Sequence, residues 1–158
     1  MLPLRSTWIL VWMLLGPWVV LAGEDAYKEP WAPVDASVNA AIDEAYQAQV
    51  KPIFEQKCYD CHVTDPDYPW YVQVPGLGAL MRHHNEEGVK DLDLTNGFPF
   101  GGEGGVLKQL REIEKEVLVK REMPPTYYLI THPSAGLDGE EKAQLAQWIQ
   151  WTRQQLAH

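Results

Sequence analysis

An all-α fold is what this sequence predicts, on three observations. Apolar residues recur at helical spacing in several stretches. No segment alternates apolar and polar residues as a half-buried strand would, and there is neither an internal repeat nor a glycine-rich phosphate loop. The pentad Cys58-Tyr59-Asp60-Cys61-His62 has the form C-x-x-C-H, and helices are what would have to surround the group it holds.

That pentad is the attachment pattern of a c-type haem. Two thiols three residues apart lie on one turn of backbone, where each can add to one of the two vinyl groups on a porphyrin edge. His62 then falls beneath the ring with an imidazole nitrogen aimed at the iron. With two cysteines and five histidines in 158 residues, chance would give the pattern about once in 2,500. A thioredoxin-like redox couple would need strands and helices alternating around the pair. A structural zinc site would need two more ligands, which only the scattered histidines could supply. The expected architecture is cytochrome c-like helices packed around one covalently attached haem c.

The chain is 46% hydrophobic and 22% charged, enough for one domain with the haem inside its core. Seven Trp and seven Tyr suit both an ordinary core and the lining of a flat apolar macrocycle. The net charge of −9 speaks against nucleic acid. An acidic surface serves solubility and also steers docking to a basic patch on a redox partner.

Met1 to Ser6 carries one positive charge, and Trp8 to Ala22 is apolar apart from Gly16 and Pro17. This reads as a secretory signal over residues 1–22, cleaved near Ala22, with an uncleaved membrane anchor as the alternative. The run is about 15 residues, short of the ~20 that span a bilayer. Losing it with Arg5 leaves a charge of about −10. Export to the periplasm suits the pentad, since both cysteines are consumed as thioethers and no disulfide is available. Residues 23–36, with Pro30 and Pro33, read as a flexible linker, and 37–158 as the haem domain.

Within that domain Ser37 caps a first helix to about Val50, with Val38, Ile42, Ala45 and Gln49 on one face. Pro52 opens a second helix that runs into Cys58. Val63 to Pro75 reads as loop, with Tyr68-Pro69-Trp70-Tyr71 as an aromatic knot against one side of the haem. Leu77 to Gly88 is a helix that Gly88 stops, carrying Leu80, Met81 and His84 on its apolar face. Lys90 to Gly105 reads as a turn-rich connector. Val106 to Lys120 is the clearest amphipathic helix, with Val106, Leu107, Leu110, Ile113 and Val117 in one stripe. Thr126 to Gly136 reads as another loop. Asp138, with Glu141 as its capping-box partner, starts a last helix whose inner face is Leu145, Trp148, Ile149, Thr152 and Leu156.

His62 supplies one axial position, and the candidates for the other are Met123, Met81, His83, His84 and His132. Met123 is favoured because Pro124 and Pro125 stiffen its loop, which lies between two helices. His84 is the main alternative. A Met opposite His makes a low-spin electron carrier of raised potential, whereas an open position makes a binder or an enzyme.

Several of these residues recur together in one family. The pentad preceded by Val50-Lys51-Pro52-Ile53-Phe54, then Pro69-Trp70-Tyr71, His84 before Gly88, Glu122-Met123-Pro124, and Tyr128 with His132-Pro133 before a Trp-bearing helix resemble the bacterial haem-binding domain family of small c-type cytochromes. The resemblance covers roughly residues 45–151. It implies a single covalent haem c with Met123 as its second ligand. The chain departs from the pattern in having Gly88-Val89 where the family often has Gly-Arg, leaving Arg82 or Lys90 to meet the propionates. The function expected is an exported monohaem cytochrome carrying single electrons between periplasmic partners, with no catalytic residue. The alternative is a haem sensor or a peroxidase-like enzyme with an open or displaceable sixth ligand, in which His83, His84 or His132 supplies an acid or base.

Overall fold

The computed structural model describes residues 35–157; the expected signal segment and nearly all of the linker lie outside the described residues. The described chain is helical, without a strand, and its one isolated bridge pairs Asp93 with Gly101. No described helix is long and apolar enough to cross a membrane.

Helix α1 (Ala36–Ala45) begins at a different cap from the one expected. Asp35, not Ser37, is the N-cap, and its carboxylate accepts from the Ser37 backbone N–H at 2.7 Å. Of the two residues only Asp35 precedes the first turn, and an ionised acceptor there also meets the positive end of the helix dipole. The chain then makes a wide π-helical stretch (Tyr46–Val50) and continues as α2 (Lys51–Lys57) with Pro52 in its first turn. A proline cannot donate to the carbonyl four residues back and its ring crowds that carbonyl. Placing the wide turn immediately ahead of Pro52 lets the helical path continue where a break was expected. The same turn sends Tyr46 and Val50 inward, both fully buried.

After Cys58 the pentad closes as one short turn, α3 (Tyr59–His62). A 3₁₀ turn (Trp70–Gln73) leads into α4 (Leu77–Asp91). Gly88 does not stop this helix, which runs on to Asp91. Its role is steric, because a Cβ there would lie 2.3 Å from the carbonyl oxygen of Cys61, and only glycine lets α4 come so close to the pentad.

The connector after α4 contributes more than turns. Leu94, Phe98 and Phe100 are all buried in the core, where Phe100 meets Tyr46 edge-on at 5.3 Å and Phe98 meets Trp148 edge-on at 6.0 Å. Each such side chain contributes about 2 kcal/mol by burial alone. Helix α5 (Gly105–Ile113) passes into a second π-helical stretch (Glu114–Val119). Its predicted stripe is seen: Val106, Leu110, Ile113 and Val117 are buried and Leu107 partly so. The segment expected as loop after Pro125 instead forms α6 (Thr126–Thr131) and a 3₁₀ turn (Pro133–Ala135). Pro125 holds extended backbone just before α6 and Pro133 is in the first turn of the 3₁₀ segment, so the prolines start these elements rather than prevent them.

Helix α7 (Gly139–Leu156) starts at the predicted capping box, with Asp138 accepting from Glu140 and Glu141 and the Glu141 carboxylate accepting from Asp138. It runs opposite to α1 and α2. Lys57 reaches Glu141 at 3.4 Å, while Gln144, further along α7, donates to the carbonyl of Gln49, earlier in the chain. Trp148 and Ile149 of α7 complete the core with Ile42, Phe54 and Leu145.

Candidate functional site

The pentad opens onto a cavity of about 640 Å³, within the range that holds a cofactor. Cys58, Cys61 and His62 all line it. Helix α2 delivers Cys58, the turn of α3 brings Cys61 and His62 beside it, and α4 forms the wall behind the histidine.

The geometry at His62 fixes its chemistry. Its Nδ1 lies 3.0 Å from the carbonyl oxygen of Gly88 and 2.9 Å from that of Leu92. Carbonyls only accept, so Nδ1 carries the proton and donates to them. Nε2 of the neutral ring is then left with its lone pair, the tautomer a metal ligand needs. The backbone carbonyl of His62 in turn accepts from Leu94 N–H at 2.8 Å, and Asn85 donates to Val63 at 2.8 Å. The pentad is therefore tied on both sides to α4 and the connector that follows it.

The two thiols are not poised as a redox couple. Burial pushes the Cys58 thiol up to about 12, with the neighbouring Cys61 adding to it. Burial and then the Asp60 charge raise Cys61 as well. Exchange chemistry needs the opposite, a thiol lowered towards neutrality.

Among the sixth-ligand candidates, Met123, Met81 and His84 line the cavity, and His83 and His132 do not. Met123 follows the second π-helical stretch, its N–H bonded to the Glu116 carbonyl at 3.2 Å. Pro124, Pro125 and Val117 share its part of the wall. Met81 and His84 belong to α4, the helix that holds His62. His84 Nδ1 lies 3.4 Å from the Tyr127 hydroxyl.

The aromatic knot expected beside the haem is not formed. Trp70 is 78% exposed, and the Tyr71 hydroxyl is 2.7 Å from His132 Nε2. Neither Trp70 nor Tyr71 lines the cavity. Neither Arg82 nor Lys90 reaches the cavity; the lysines lining it are Lys57 and Lys108. Lys57 donates to the Ser134 carbonyl at 2.6 Å. Six carboxylates, Asp60, Glu87, Asp91, Glu103, Glu112 and Glu116, share the lining, so its charged part is strongly acidic.

Three features of the site were not read from the sequence. Gly88 as a close-approach residue had a signal, an isolated glycine inside an apolar-period helix. The bond from the Tyr128 hydroxyl to the Asp60 carboxylate joins residues 68 apart and had none. Gln109, whose amide donates to Gly101 while its Oε1 is buried without a partner, lies on a helix face that reads as core.

The residues present fit a haem: an imidazole of fixed tautomer, two thiols at one edge of a largely apolar cavity, and a glycine where a Cβ would fill the contact. A helical domain that encloses a cavity beside a C-x-x-C-H turn is a haem-binding class of protein. The chain matches the haem-binding domain family over residues 24–151 and belongs to it. It is also similar to cytochrome c peroxidase Ccp of Escherichia coli (strain K12), with 28% identity over 131 residues, or 82% of this chain. The chain spans 28% of that protein's length. No solved structure matches.

Proposed function

We propose that this is an exported monohaem c-type cytochrome that carries single electrons between periplasmic partners. The observation that carries the reading is His62, with Nδ1 bonded to the carbonyls of Gly88 in α4 and of Leu92 just past its end, beside two thiols lining the same cavity. In it Cys58 and Cys61 hold haem c covalently, His62 is one axial ligand and Met123 the other. The group supplies one reversible electron, and the protein's part is to hold both ligands, exclude water and limit reorganisation. The acidic lining and net charge of −9 favour a partner with a basic docking patch.

Covalent attachment is tested by denaturing the protein, extracting with acid and organic solvent, and staining the chain for haem. Haem should stay on the wild-type chain and be absent from the Cys58→Ala, Cys61→Ala double variant. A chain stripped of all colour would end the reading. Export is tested by sequencing the N-terminus of the periplasmic fraction. A protein beginning at about Gly23 is expected, whereas recovery only from membranes with Met1 intact would mean an uncleaved anchor.

A second reading has an observation in its favour. The similar protein is named a peroxidase, and Met123 sits in the bend between the second π-helical stretch and α6, outside any helix, from which a hydroperoxide could displace its thioether. His84 and Tyr127 would then serve beside the open position. Added imidazole that binds the ferric wild-type protein at neutral pH would support this reading, and an unchanged spectrum would support the carrier.

A further inference from the structure

Tyr128 lines the cavity and begins a row of aromatic side chains that ends at the surface. Its ring is stacked on His132, the centroids 4.2 Å apart and the planes 9° from parallel. His132 is 5.7 Å from Tyr71, and Tyr71 is 6.0 Å from Trp70 in an edge contact. Trp70 is 78% exposed. None of the four belongs to the buried core cluster.

The row has a proton acceptor built into it. His132 Nδ1 lies 2.9 Å from Thr131 Oγ1 and 3.2 Å from the Tyr128 carbonyl. The carbonyl only accepts, so Nδ1 carries the proton and Nε2 accepts from the Tyr71 hydroxyl at 2.7 Å. A phenol that loses an electron becomes a strong acid, and Tyr71 has a base in hydrogen-bond contact to take the proton. Trp70, beyond it, has the exposure that a terminal donor needs.

We propose that this row carries an oxidising equivalent from the haem cavity to the surface, with Tyr128 as its inner end, Tyr71 as a proton-coupled relay and Trp70 as the terminal donor. It rests on the haem reading and, for its oxidant, on the peroxide reading. Hydrogen peroxide takes two electrons and two protons, its O–O bond breaking to give two waters. One electron comes from ferrous haem iron and the other from the row. Tyr71 is oxidised first, its electron passing inward through the stacked His132 and Tyr128 rings and its phenolic proton to His132 Nε2. Trp70 then returns an electron to Tyr71, the proton goes back from His132, and the Trp70 indole proton is released to water. The second proton comes from solvent. The net change is ferrous to ferric iron and Trp70 to its neutral radical.

The test uses the full-length haem-loaded protein, reduced and kept free of oxygen, then given one equivalent of hydrogen peroxide. Frozen samples are read by electron paramagnetic resonance, and digests of samples mixed with a nitroso spin trap are read by mass for the trap's adduct at Trp70. Wild type should show an indole radical and modified Trp70. Tyr71→Phe should lower Trp70 modification about tenfold, and His132→Gln, which keeps an acceptor but not a base, should lower it in the same direction. Trp70→Phe should leave a phenoxyl signal instead. An unchanged haem spectrum and unfolding midpoint show that each variant is folded. Equal Trp70 modification in wild type and Tyr71→Phe would overturn the proposal, as would haem-loaded protein that forms no protein radical or does not consume peroxide. A chain without bound haem is a different result, since it overturns the haem reading itself.

Discussion

Gly88→Ala is expected to destabilise the domain by about 3 kcal/mol or more and to lower its thermal midpoint by roughly 10 °C. The added Cβ would stand 2.3 Å from the Cys61 carbonyl oxygen and 3.2 Å from its carbon. Both are backbone atoms of the pentad turn, so no side chain can swing away and α4 itself must move. That movement has a chemical consequence, because the Gly88 carbonyl accepts from His62 Nδ1. Retreat of α4 by even an ångström breaks one of the two bonds that set the imidazole tautomer, so the variant should also show an altered axial-ligand spectrum. Gly139→Ala is the control. A Cβ at Gly139 meets nothing within 4 Å, and that change should stay within about 0.5 kcal/mol of wild type. If Gly88→Ala is equally mild and its spectrum unchanged, the close approach is not what holds His62.

The same glycine shows why part of the fold was legible in the sequence and part was not. A glycine near the end of an apolar-period run ordinarily marks a C-cap, and that local rule gives the wrong role here because the decisive neighbour, Cys61, is 27 positions away. The α7 cap was legible because Asp138 and Glu141 satisfy each other within four residues. The stripe from Val106 to Val117 was legible for the same reason, since its period is local. By contrast Phe98 and Phe100 sit among glycines and prolines that read as turn, and residues distant in sequence such as Tyr46, Phe54 and Trp148 make a core of them. At the site, the pentad announces its own chemistry. The bonds from Tyr128 to Asp60 and from Tyr71 to His132 span 68 and 61 positions and depend on where α6 packs, which no short-range pattern encodes.

Met123→Ala is expected to remove the far-red sulphur-to-iron absorption band and open the sixth position to water or imidazole. Met123→His should keep the haem low-spin and lower its potential by ~0.2 V, well inside the ~0.8 V that axial ligands span. The direction follows because a thioether favours ferrous iron and a second imidazole favours ferric. The position follows from which wall each candidate occupies. His62 is fastened to the carbonyls of Gly88 and Leu92, so α4 stands behind the residue proposed as the first ligand. Met81 and His84 line the cavity from that same helix, whereas Met123 lines it from another element. Met123 belongs to the segment after the second π-helical stretch, where Pro124 and Pro125 restrict the backbone and reduce the entropy lost in holding a weak ligand. Met123 stands outside the buried core cluster, which makes its removal a small perturbation of packing, so a changed spectrum would report ligation rather than misfolding. Should Met123→Ala leave both the band and the potential as in wild type, the thioether is not bound to iron. His84→Ala then decides the matter, because conversion of that variant to high-spin haem would identify a bis-histidine centre.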